Sequence, residues 1–397
     1  MNEDQHDDWN PRDPSTLKDQ RRAYDEMRER CPVAHSAFLG WSLFRHADVT
    51  AALADTQAFS NVARFPVIPN SMDPPIHGPY YEVLAQFFDQ KYMATLEPRV
   101  REIAANLLRP LLDLGEADFI EAFATPFALK TLCAFLGWPD QQWKCLAGWV
   151  HGNQDAAFNE DPVAGKALAE LFAEHVRANL DSHRASPGHA GDATDGLLRT
   201  EVDRKTFSND EIISILRNWA AGHGTVAAGL GILALHLALN PELQDRLRHE
   251  PSLIPAAIEE ILRADDPLVA NRRTTTRELE IQGRTIPEGD IVTLMWIAAN
   301  RDPRMFVDPD VVDIERNTEP SLVWGQGIHL CLGAPLARLE MRVALEELLA
   351  ATTCIELADA APRRAVYPGD GLAALTLRIK ARTTGAGSSH WQTKKTR

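Results

Sequence analysis

A lone cysteine framed by glycines and a histidine is the most reactive arrangement in the chain: Trp324-Gly-Gln-Gly-Ile-His-Leu-Cys331-Leu-Gly333, followed by a strongly helical run through Glu340. Gly325 and Gly327 permit a tight turn at positive φ, and Gly333 lets something large and flat approach the backbone. Cys331 falls at the start of a helix, where unpaired N–H groups and the positive helix end favour a thiolate over a thiol. Such a sulfur can ligate a metal or attack an electrophile. His329 is close enough in sequence to act as a base, but no third group in the segment would orient it, so a metal ligand is the better reading.

This segment closely resembles the haem-binding signature of the cytochrome P450 family, F-G-x-G-x-H-x-C-x-G followed by L-A-R-x-E, with Trp324 in place of the phenylalanine. The resemblance implies haem b with Cys331 as its axial thiolate and sole protein metal ligand. The Trp324 indole would pack on the proximal side, and its N–H would be a hydrogen bond tuning the sulfur.

Other family features follow in order. Glu260 and Arg263, at i and i+3, share a helix face and can form a charge-assisted pair, and Arg316, in a segment resembling the family's meander, completes the implied Glu-Arg-Arg triad. The haem propionates need cationic or hydrogen-bonding partners, and His77, Arg273 and His329 stand where the family has them. Tyr81 occupies a position usually held by arginine, so a phenol hydrogen bond is expected to replace one ion pair.

Asn218-Trp-Ala-Ala-Gly222-His-Gly-Thr225 resembles the family's A/G-G-x-D/E-T motif. Gly222 would open a local kink and Thr225 would offer a hydroxyl to dioxygen. Gly224 stands where the acid is expected, although the reaction consumes protons. His223 is a candidate relay by its near-neutral pKa, despite lying about 200° round the helix from Thr225. Ala221, Leu268 and Val269 fall in positions resembling the family's substrate-contact regions, as do the stretches 62–70 and 369–373. These are apolar or small, so a modest hydrophobic or aromatic substrate is expected. The glycine before Thr225 also resembles haem domains fused to a phthalate-dioxygenase-type reductase.

The elements that must position these groups are mostly helical, with apolar residues recurring every three or four positions over Val100–Leu114, Val163–Leu180 and Asn209–Leu239. Strand patterns are short: Gly40–Arg45, Leu279–Ile286 around Gly283, Ile291–Trp296 and Leu372–Ile379. Pro66–Pro75 and Ala185–Gly196 read as loops. The class is mainly α with small sheets, and the resemblance implies the triangular P450 prism over residues 1–382, with 383–397 a flexible polar tail or linker.

Composition narrows the partners. The chain has 397 residues and 41 Lys+Arg against 56 Asp+Glu, a formal charge of -15, which disfavours nucleic acid. The start, MNEDQHDDWN, lacks the cationic and apolar runs of a secretory signal, so the cytoplasm is expected. The apolar stretch Val226–Leu239 is short of the roughly 20 residues of a membrane span. Cys31, Cys133, Cys145 and Cys354 form neither a disulfide framework nor a zinc spacing and read as small buried hydrophobes. No flavin or iron–sulfur module is visible, so electrons would come from a ferredoxin or reductase docking near Arg338 and Arg342. The expected reaction is monooxygenation, hydroxylation or O-dealkylation; its rivals are a peroxide-driven peroxygenase and a non-catalytic haem-thiolate sensor.

Overall fold

Ser208 starts the central helix of the protein. Its hydroxyl accepts from the Glu211 N–H while the Glu211 carboxylate accepts from the Ser208 N–H at 2.8 Å, a complete capping box. The helix then runs unbroken over Asn209–Leu239 and stops where Asn240 precedes Pro241. The computed structural model describes residues 7–63, 66–185, 191–367 and 371–382. The helices that build the site are α1 (His77–Ala85), α2 (Gln90–Leu114), α3 (Thr125–Leu136), α4 (Trp143–Phe158), α5 (Asn209–Leu239), α6 (Ile254–Ala264) and α7 (Ala334–Ala351). α5 is buried along most of its length and packs on α3, α4, α6 and α7 in one large apolar core.

Five short strands form the main sheet: β1 (Val33–Ser36), β2 (Gly40–Leu43), β3 (Phe59–Ser60), β4 (Asn271–Thr275) and β5 (Ile291–Leu294), in the order β1-β2-β5-β4-β3. β5 runs parallel to β2 and antiparallel to β4, where Val292 faces Arg273 in register. Two smaller apolar clusters flank this sheet. Leu279–Ile281 and Arg284–Ile286 pair as a hairpin whose turn residues Gln282 and Gly283 have φ of 51° and 72°, as a tight primed turn requires.

The mainly α class with small sheets holds. Several boundaries shift. Trp296 begins a helical turn instead of ending a strand, and 372–379 divides into Leu372–Ala374 and Thr376–Ala381. The expected loop over 185–196 gives way to a helix at Ala193, capped by Asp192; residues 186–190 and the expected tail 383–397 lie outside the described residues. By length and composition α5 could cross a bilayer, which Val226–Leu239 alone did not reveal, but it is mostly buried in the protein core. All five cysteines are free, and only Cys133 is fully buried; Cys31 and Cys354 are half-buried and Cys145 is exposed, so the expectation of four buried thiols fails for three.

Candidate active site

The cysteine loop is closed by its own backbone. Gly325 and Gly327 take φ of 71° and 72°, and the returning Cys331 N–H donates to the Trp324 carbonyl at 2.8 Å. The Tyr81 hydroxyl on α1 donates to the Leu330 carbonyl at 3.0 Å and so ties α1 to the loop; the phenol expected to replace an ion pair to a propionate is spent on this backbone bond instead. Cys331 lines a cavity of about 720 Å3 inside the protein body, which is why its surface is accessible although protein surrounds it. Burial pushes the thiol above its ordinary pKa; the Gly333 and Ala334 N–H groups at the start of α7 and the Arg338 guanidinium pull the other way and do not prevail. The helix end alone therefore does not make a thiolate. A coordinating metal ion would, because ligation itself deprotonates a thiol.

One edge of the cavity gathers an arginine and two imidazoles. His77 opens α1, Arg273 comes from β4 and His329 from the loop, and the two imidazoles lie 4.3 Å apart between ring centroids. His77 Nε2 and His329 Nδ1 are buried without a hydrogen-bond partner among the described residues, and the Arg273 guanidinium spends one N–H on the Arg272 carbonyl. Burial lowers Arg273 to about 10. Burial, His77 and Arg273 together lower His329 to about 4. Buried polar nitrogens clustered beside an arginine without partners point to an absent ligand, and an anion would suit the arginine. Two carboxylates at the edge of a flat group ligated by Cys331 would satisfy them.

Across the cavity, α5 presents Ala221, Gly222 and Thr225. The helix is continuous there, so Gly222 makes no break; its contribution is bare surface, since a Cβ built on it would meet nothing within 4 Å. Leu268 lines the same space.

The chain matches the family model Cytochrome P450 over residues 144–355. It is 33% identical over 353 residues to the cyclomarin C epoxidase CymV of Salinispora arenicola, covering 84% of this chain and 88% of that protein. It is also 33% identical to the erythromycin C-12 hydroxylase of Saccharopolyspora erythraea, covering 82% and 85% respectively. The solved structure of a P450 EryK mutant in complex with erythromycin B superposes with a TM-score of 0.83 at 30% identity, over 93% of this chain and 98% of that one. The chain belongs to the cytochrome P450 family. It has the P450 fold, and its activity class is haem-thiolate monooxygenase.

The structural triad of this P450 assembles as expected. Glu260 on α6 accepts from Arg263 Nε and Nη2 at 2.7 and 2.8 Å and from Arg316 Nε at 3.0 Å. Arg263 also donates to the Asn300 and Pro309 carbonyls, so the buried guanidinium pins α6 to the segment before the cysteine loop.

Four further expectations need correction. His223 does not reach Thr225: its Nδ1 bonds the Trp219 carbonyl at 2.8 Å and its Nε2 bonds Glu340 Oε1 on α7 at 3.1 Å. Val269 is not among the residues lining the cavity: it packs in the cluster with Met295 and Ile297, while its neighbour Leu268 lines the cavity. The Trp324 N–H donates to Glu259 Oε2 at 2.8 Å, not to sulfur. Arg338 is bonded to the same Glu259 at 2.7 Å and lies 4.6 Å over the Trp324 ring, and Arg342 pairs with Glu97 and Glu346, so neither arginine is an unpaired positive charge.

The stretch 62–70 contributes Ala63, Val67 and Asn70 to the cavity, while residues 64, 65, 369 and 370 lie outside the described residues. Sequence reasoning missed Arg217, two turns before Thr225 on the same stripe of α5, and Trp149 on α4, both of which line the cavity. The i, i+4, i+8 spacing of 217, 221 and 225 was the available signal.

Proposed function

We propose that Cys331 ligates a haem b whose propionates are held by His77, Arg273 and His329, with Thr225 facing the reaction site and apolar substrate packed against Ala221 and Leu268. The haem, when bound, supplies the chemistry that reduces dioxygen and oxidises a substrate C–H bond. The chain's residues do the rest. The Gly333 and Ala334 N–H groups stabilise negative charge on the sulfur, and Tyr81 fixes the loop that carries it. Thr225 holds and passes a proton at its hydroxyl; Gly224 carries no acid and no Asp or Glu lines the cavity among the described residues, so water brings that proton. The apolar walls limit other water and place the substrate.

Electrons come from a ferredoxin or reductase, either separate or joined beyond the haem domain of residues 1–382, and no flavin or iron–sulfur cluster is carried by this chain. The protein works in the cytoplasm, without a membrane or nucleic-acid partner. The observation that carries the reading is Cys331 in the wall of a 720 Å3 cavity that His329 also lines, with His77 packed against His329 and a buried nitrogen of each imidazole without a partner among the described residues. The test is the carbon-monoxide difference spectrum of the reduced protein. A red-shifted Soret band that disappears in Cys331→His supports thiolate ligation; a band unchanged by that substitution overturns it.

A further inference from the structure

The cavity has a second cationic pole. Besides Arg273 and His329, it is lined by Arg217, Arg272 and His223. His223 is paired with Glu340, and Arg272 lies exposed on β4. Arg217 is different: it is half-buried on α5, its Nε is buried without a partner, and it makes no ion pair or hydrogen bond among the described residues. Burial lowers its pKa.

A second unsatisfied donor belongs to another residue of the cavity lining. Trp149 Nε1, on the packed neighbour α4, is also buried without an acceptor. The guanidinium keeps its charge, and with its Nε out of solvent and unpaired it gains from an anion that reaches it. Among the described residues no carboxylate lines the cavity. Arg217, Ala221 and Thr225 lie on one helical stripe, and eight residues of α-helix rise about 12 Å.

We propose that this P450 takes substrates bearing a carboxylate, anchored on Arg217 with Trp149 as second donor, so that an apolar body of roughly 8–12 Å reaches the oxidation site beside Thr225. This deepens the functional reading above and rests on it. The anchor fixes which carbon is presented, because a bound carboxylate sets the distance along α5.

The test uses the haem-loaded protein, with para-butylbenzoate and its neutral isostere para-butylbenzamide titrated by calorimetry and by spin-state shift. The wild type should prefer the benzoate by about 10-fold or more, the scale of a charge-assisted hydrogen bond. Arg217→Gln should bring the ratio near unity, and Arg217→Lys should restore part of it. Equal affinities in the wild type, no benzoate binding at about 1 mM, the scale of the weakest specific complexes, or a preference that survives Arg217→Gln each overturn the proposal. The reduced carbon-monoxide band reads the thiolate assignment separately: with the band present and no preference, only the carboxylate anchor falls. Without the band in wild type, the assignment beneath it falls as well.

Discussion

His223 on α5 and Glu340 on α7 are hydrogen-bonded at 3.1 Å, both buried, and tie one wall of the cavity to the helix that follows the cysteine loop. Glu340 Oε2 has no partner of its own, so the carboxyl depends on the imidazole. Glu340 raises the His223 pKa against burial, and burial raises that of Glu340.

Removing one member of this pair strands the other in the core. His223→Ala or Glu340→Ala should each cost about 3–5 kcal/mol in urea unfolding, the range for breaking a buried pair. The double replacement His223→Leu/Glu340→Leu should cost far less than the sum of the single losses, because no unpaired group remains. Additive losses would show that the two side chains act independently.

Gly224 is explained by packing. A Cβ at this position would stand 2.9 Å from Val150 Cγ1 on α4, so a side chain here requires Val150 to shift. Gly224→Asp should therefore lower stability by about 1–3 kcal/mol, as overpacking does, without improving the coupling of electron consumption to product. A stable, better-coupled variant would show that the position tolerates the acid.

Haem retention should depend on the edge formed by the arginine and the two imidazoles. Arg273→Gln should speed haem transfer to excess apo-globin by about 10-fold or more, from the loss of a charge-assisted hydrogen bond, and His77→Ala should act in the same direction. An unchanged transfer rate would place the propionates elsewhere.

Acid stability should rest on Asp265. Burial pushes this carboxyl up, but His236, Arg364 and Arg21 outweigh it and hold it well below the ordinary 3.8. A depressed carboxyl contributes stability above its unfolded pKa and loses it as pH falls through the folded one. Arg364→Ala removes contacts at 2.6 Å to both carboxyl oxygens, so its unfolding midpoint should move to higher pH in an acid titration.

Local features were the ones legible in the sequence. The positive-φ glycines of the cysteine loop, the i, i+3 spacing of Glu260 and Arg263, and the full span of α5 follow from backbone stereochemistry and periodicity. Arg316 and the propionate edge were reachable by resemblance to a known pattern. What stayed hidden depends on contacts distant in sequence: Glu340 meets His223 across 117 residues, Val150 crowds a side chain at 224, and Glu259 captures the Trp324 N–H. The assignment of Leu268 to the cavity and Val269 to a core cluster turned on a single residue of phase, which an irregular segment does not encode.

The apolarity of α5 bears on how the chain can be handled before it folds. Buried, that helix is the core's spine; emerging as an extended polymer, it offers a translocation channel a segment long and greasy enough to partition sideways into lipid. Secretion of this protein in threaded form would present that segment to lipid, whereas a route that carries finished, folded cargo would keep it in the core.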